Sequence, residues 1–144
     1  MTRQKSRLIL FLPALILIMN ELIRTFLRPI YGRREYGLLN EILGWLPNFL
    51  APLAFMSMAI VIIILVEGSS GKLVSKKSKL LLIFAFAIIG LTGFLVHEIT
   101  QKGTGLTFDV NDIYATIAGV FVGAYLFYLI LLKNKYKPAP QPLQ

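Results

Sequence analysis

The sequence predicts an all-α integral membrane protein, a four-transmembrane-helix bundle with both termini cytoplasmic. Three observations predict it. Hydrophobic residues make up 56% of the 144-residue chain and charged residues only 15%, whereas a soluble domain carries about a quarter charged and somewhat under half apolar. The apolar excess sits in runs on the scale of a bilayer's roughly 30 Å hydrocarbon core. None of the runs alternates as a barrel strand would. The absence of cysteine argues against a disulfide scaffold and a cysteine-ligated metal site. A formal charge of +8 would suggest nucleic acid in a soluble protein. In a membrane protein Lys and Arg mainly set orientation, so no nucleic-acid partner is expected.

The first run, Leu8 to Met19, follows Arg3, Lys5 and Arg7. By itself it is short for a crossing and resembles a signal peptide. Asn20 and Glu21 follow it, however, with no small-x-small cleavage site. Continuation through Leu22, Ile23, Phe26 and Leu27 gives an uncleaved first span over about 8–27. The second span is 46–66, opened by Trp45 at the headgroup boundary, with Pro47 and Asn48 near its start and Pro52 expected to kink or loosen its first turns. The third is 80–97 and the fourth 113–132. Residues 1–132 read as one membrane domain. Residues 133–144, with Pro138, Pro140 and Pro142, read as a basic, disordered cytoplasmic tail.

Orientation follows the cations. Arg3, Lys5, Arg7, Lys72, Lys76, Lys77, Lys79, Lys133, Lys135 and Lys137 fall on one side of a four-span chain, which the positive-inside rule makes cytoplasmic. Arg24, Arg28, Arg33, Arg34 and Lys102 fall on the other. The acids segregate too. Only Glu67 is on the predicted cytoplasmic side, while Glu21, Glu35, Glu41, Glu98, Asp109 and Asp112 are on the outer side. A nearly pure Lys face is what orientation requires; a mixed face is what a polar site requires.

On the first helix Asn20, Arg24 and Arg28 recur every four residues as one stripe, with Glu21 three residues from Arg24. One reading is a frayed end that snorkels, with Glu21 neutralised by Arg24. The other is a stripe facing the bundle that binds an anionic group, since the guanidinium fork suits phosphate. On the third helix Phe94, Glu98 and Gln101 share a face, next to His97. The lone His is an interfacial histidine or a general base. With no second His and no Cys, a transition-metal site is not expected. Before the fourth helix, Asp109 or Asn111 can cap it and Asp112 suits its dipole. Ala115, Gly119 and Gly123 then form a small-residue seam, which serves packing within the chain or pairing with a second copy or another membrane protein. Thr116 lies beside the seam, which would bring the end of the third helix against Asp112.

Glu98-Ile-Thr-Gln101, then Thr107-Phe-Asp109-Val-Asn-Asp112, then Gly119-x-x-x-Gly123 resembles the signature of the VanZ-like family: Glu-x-x-Gln, a variable turn, Asp-x-x-Asp, Asn and two glycines leading into the last span. Pro47-Asn-Phe-Leu-Ala-Pro52 is similar to its Asn/Pro-rich lead into an earlier span. The resemblance covers Leu46 to Leu132. Thr116 stands where the family has Asn, and Thr104 to Leu106 lack its Arg. The resemblance implies a bacterial inner-membrane helical protein with an outward-facing polar site; it does not imply antibiotic resistance. The combined expectation is a non-enzymatic protein that binds an anionic envelope lipid or lipid-linked cell-wall component through Arg24, Arg28, Glu98, Gln101, Asp109 and Asp112. No catalytic residue, metal or cofactor is assigned. The alternatives are a small membrane enzyme acting on such a lipid and an interaction subunit using Gly119 and Gly123.

Overall fold

The computed structural model describes residues 8–31, 36–101 and 109–133. The basic residues before Leu8, Arg33, Arg34, Lys102 and the Pro-rich tail lie outside them. Nearly all the described residues are helical, the connection 71–75 being the main exception, and there is no strand among them. The first rod consists of α1 (Leu12–Leu22), a π-helical turn (Ile23–Leu27) and the short α2 (Arg28–Tyr31). It is followed by α3 (Leu38–Ser70), α4 (Lys76–Gln101) and α5 (Val110–Phe127), the last continuing as a π-helical segment to Lys133. Three helices are long and apolar enough to cross a membrane: Leu38–Ser70, Lys76–Thr100 and Val110–Lys133. The first rod is also apolar, but carries Glu21, Arg24 and Arg28 in its second half.

The π turn has a cause in the sequence. Pro29 lacks an N–H and its ring crowds the carbonyl four residues back. Just before it the helix widens, and the Arg28 N–H reaches back five residues to the Ile23 carbonyl. At 100° per residue, an α-helix carries every fourth residue about 40° past its predecessor. A wider turn reduces that drift, so Asn20, Arg24 and Arg28 keep a common direction.

α3 is the centre of the bundle. Of its most apolar stretch 56% is buried, against 6% for α4. It starts eight residues before the expected boundary and runs through Pro47 and Pro52 as one continuous helix. Pro52 cannot donate to the Asn48 carbonyl four residues back. Thr116 of α5 replaces the missing donor, its Oγ1 giving a hydrogen bond to Asn48 O at 3.3 Å. Substitution of a freed carbonyl's partner by a neighbouring Ser or Thr is how a span tolerates proline without breaking.

α5 docks on α3 through its glycines. A Cβ on Gly119 would collide with the Phe49 carbonyl oxygen, and one on Gly123 with Met56 Cβ. Both glycines are buried, so the seam is occupied within the chain. Its start is capped as the sequence suggests: Asp109 Oδ1 accepts from the Asn111 N–H at 3.0 Å. α4 is attached through aromatics. Phe55 of α3 packs between Phe86 and Phe94, at centroid distances of 5.0 and 6.1 Å. Gly90, midway between those rings, lies under Phe55, where a Cβ would sit 3.1 Å from its ring.

The end of the bundle where α3 meets α4 holds an unpredicted feature. Lys79 Nζ lies 2.8 Å from Glu67 Oε1, and both side chains are buried. The same oxygen accepts the Val74 N–H at 2.9 Å. Gly71, at φ 65°, ends α3 in the left-handed conformation that glycine adopts without penalty. The connection thus folds back under a charged clasp, and Lys79 is part of the fold rather than of a solvated Lys face.

Candidate polar cavity

A cavity of about 480 Å³ opens at the opposite end, lined from every helical rod. The first rod supplies Asn20, Arg24 and Arg28; α3 supplies Pro47, Asn48 and Ala51; α4 supplies Phe94, His97 and Glu98; and α5 supplies Asp112 and Thr116. Each contribution has a local cause. The π turn aims the arginines. Pro47 and Pro52 bracket Asn48 at the level where Thr116 bonds to it. The tight Gly119 contact with Phe49 draws the first turns of α5, with Asp112 and Thr116, against α3.

Four of the six expected site residues meet here: Arg24, Arg28, Glu98 and Asp112. Asp109 does not line the cavity. Its carboxylate is turned to Asn111, accepting from both its backbone N–H and its side-chain amide at 3.0 and 3.4 Å. Gln101 ends α4, and its side chain lies outside the described residues. Four other polar residues belong to the lining. Asn20 was visible in the Arg24/Arg28 stripe, Thr116 one turn after Asp112, and Asn48 one turn before Pro52. His97 stands out in the sequence as the lone histidine, interfacial or a general base, and is not counted among the expected ligand-binding residues.

The Asn48 side chain lies within hydrogen-bonding reach of Asp112, but neither arginine is consumed by a neighbouring carboxylate. Among the described residues the one ion pair is Lys79–Glu67, far from the cavity, so neither arginine pairs with Glu98 or Asp112. Arg28 lies within Coulombic reach of Asp112, and Glu98 and Asp112 within reach of each other. Glu21 does not pair with Arg24; it accepts a hydrogen bond from Thr25 Oγ1 at 2.9 Å, on an exposed face. The deepest groups are Glu98, 4% exposed, and Asn20, 7% exposed. Glu98 Oε2 and Asn20 Oδ1 have no hydrogen-bond partner among the described residues. Leaving a buried polar atom unpaired costs about 1–3 kcal/mol, more if it is charged. Both atoms are themselves covered, and both belong to residues that line one cavity. The arginines, by contrast, are exposed at its rim.

No group of three His, Cys, Asp or Glu that would hold a metal ion is present among the described residues. The polar groups that do converge suit hydrogen bonding: two guanidinium groups, two carboxylates, two amides, an imidazole and a hydroxyl. No family model, no curated protein and no solved structure matches the chain.

Proposed function

We propose that the chain is a VanZ-like protein of the bacterial inner membrane, crossing it four times with both termini cytoplasmic. Its outward-facing cavity binds an anionic envelope lipid or a lipid-linked cell-wall component without transforming it. The topology rests on the Lys-rich clusters of one side and the mixed polar residues of the other. The family reading rests on the Glu98 to Gly123 motif and on Pro47 to Pro52. The first rod crosses with Arg24 and Arg28 near its outer end, where a charge is much less costly than at mid-span. The arginines receive phosphate, and Glu98 and Asp112, which pair with neither arginine, accept from sugar and amine groups.

One observation carries the binding assignment. Arg24 and Arg28 at the rim and Glu98 and Asp112 in the lining converge on one cavity, with no ion pair between them among the described residues. A ligand with both an anionic group and hydrogen-bond donors answers both halves of that arrangement. The experiment is retention of phosphatidic acid by purified protein, read by native mass spectrometry. A hydrogen bond to a charged group contributes about 1.5–3 kcal/mol, so Arg28→Ala lowers retention tenfold or more. Unchanged retention in both Arg24→Ala and Arg28→Ala rejects the assignment.

A second reading, a small membrane enzyme acting on such a lipid, draws on the proximity of Glu98 and Asp112 beside His97. It requires turnover of a labelled envelope lipid by pure protein, and lipid recovered intact with and without magnesium excludes it. Use of Gly119 and Gly123 to recruit a partner has less support, because both already pack on α3.

A further inference from the structure

A second, apolar crevice of about 450 Å³ runs along the outside of the bundle between α3 and α4, lined by Phe55, Ile89, Gly90, Gly93, Phe94 and His97. Phe94 and His97 also line the polar cavity, so the two spaces adjoin across that pair. The change in character across it is sharp: guanidinium, carboxylate and amide groups on one side, hydrocarbon and glycine backbone on the other. The glycines shape the crevice. Gly90 is covered by the Phe55 ring, whereas a Cβ on Gly93 would meet nothing within 4 Å. α4 is the least buried of the long helices, so the crevice faces the surroundings of the bundle.

We propose that this crevice seats a hydrocarbon chain of the lipid whose phosphate is held by Arg24 and Arg28, making the site bipartite, with a head cavity and a chain groove joined at Phe94 and His97. This rests on the reading of the polar cavity given above. The occupant is a membrane phospholipid rather than a free phosphate ester, because the apolar groove shares Phe94 and His97 with a cavity that has a cationic rim. The head end matches a phosphate in charge, and the groove offers an acyl chain ring faces and open backbone. The chain contributes by packing against Phe55, Phe94 and the glycine backbone rather than by leaving water, so filling the groove removes those contacts.

The test uses the full-length protein in detergent and two probes, a long-chain phosphatidic acid and the water-soluble dibutyryl phosphatidic acid. Gly93→Leu fills the groove from a position with open space around it and replaces a helix-weakening glycine with a good helix former, so folding is preserved. Val122→Leu, on an exposed face of α5 away from the groove, controls for any change of the lipid-facing surface. The expected result is a tenfold or greater loss of long-chain binding in Gly93→Leu, with dibutyryl binding at the wild-type level and both probes unaffected in Val122→Leu. Wild-type long-chain binding by Gly93→Leu, with both probes lost in Arg28→Ala, overturns the chain groove and leaves the head cavity standing. Equal loss of both probes in Gly93→Leu also overturns it, since the groove would then not be separable. Failure of the wild-type protein to bind either probe removes the head-cavity reading itself.

Discussion

Two glutamates are buried at opposite ends of this bundle, and they are treated differently. Glu67, fully buried, is met on Oε1 by Lys79 and by the Val74 N–H, while its Oε2, like an oxygen of Glu98, has no partner among the described residues. Glu98, nearly as buried, has an oxygen with no partner among the described residues and the Asp112 carboxylate close by. Removing a charge from water is costly unless a counter-charge and hydrogen bonds compensate. At the Glu67 end the chain supplies that compensation itself, and the result is a clasp between consecutive helices. At the Glu98 end no cation pairs with the carboxylate among the described residues, and a second carboxylate, Asp112, lies near it. The first arrangement holds the fold; the second fits a binding site, where stability is often traded for function.

That contrast can be broken at either end. The largest effect belongs to Lys79→Ala, which strands Glu67 as a buried, uncompensated charge. Breaking such a pair from one side costs about 3–5 kcal/mol, to be read as a lowered unfolding midpoint in detergent. A loss under about 1 kcal/mol would mean that the pair is no more than a surface contact. Next comes Gly119→Ala, which drives a methyl group into the Phe49 carbonyl and separates α5 from α3 beneath the cavity. Overpacking of this kind costs about 1–3 kcal/mol, and lipid retention falls with it; unchanged retention would show that the cavity does not depend on the seam. The smallest effect on stability is expected for Glu98→Gln, which keeps the shape and removes the repulsion from Asp112. Its unfolding midpoint stays within about 0.5 kcal/mol of wild type or rises. A drop as large as that of Lys79→Ala would place Glu98 with Glu67 as a structural group.

What the sequence made legible was whatever depends on neighbours along the chain. The cap at Asp109, the apolar lengths of α3, α4 and α5, and the glycine seam are all local patterns, and each appears in the structure. Asp112, Thr116 and Glu98 were linked by reasoning about that seam, and they line one cavity. What stayed hidden depends on contacts between helices. Lys79 and Glu67 each looked like an ordinary residue of a cytoplasmic loop until the turn brought them together. Asn48 gained its place from Pro52 and Thr116, which are 64 residues apart in the chain. Asp109 was the converse. Its acidity suggested the site, but its position at a helix start commits its oxygens to Asn111.

The wide turn at Ile23–Leu27 makes spacing an ingredient of recognition. Beyond it, each residue's azimuth is fixed by how many units the backbone fits into one revolution, not by which side chains those units bear. Hydropathy comparison alone would miss this, because two stretches can be equally greasy and still point their cations at opposite compass bearings. In this molecule a count, rather than a chemical group, keeps two guanidinium forks on the same heading.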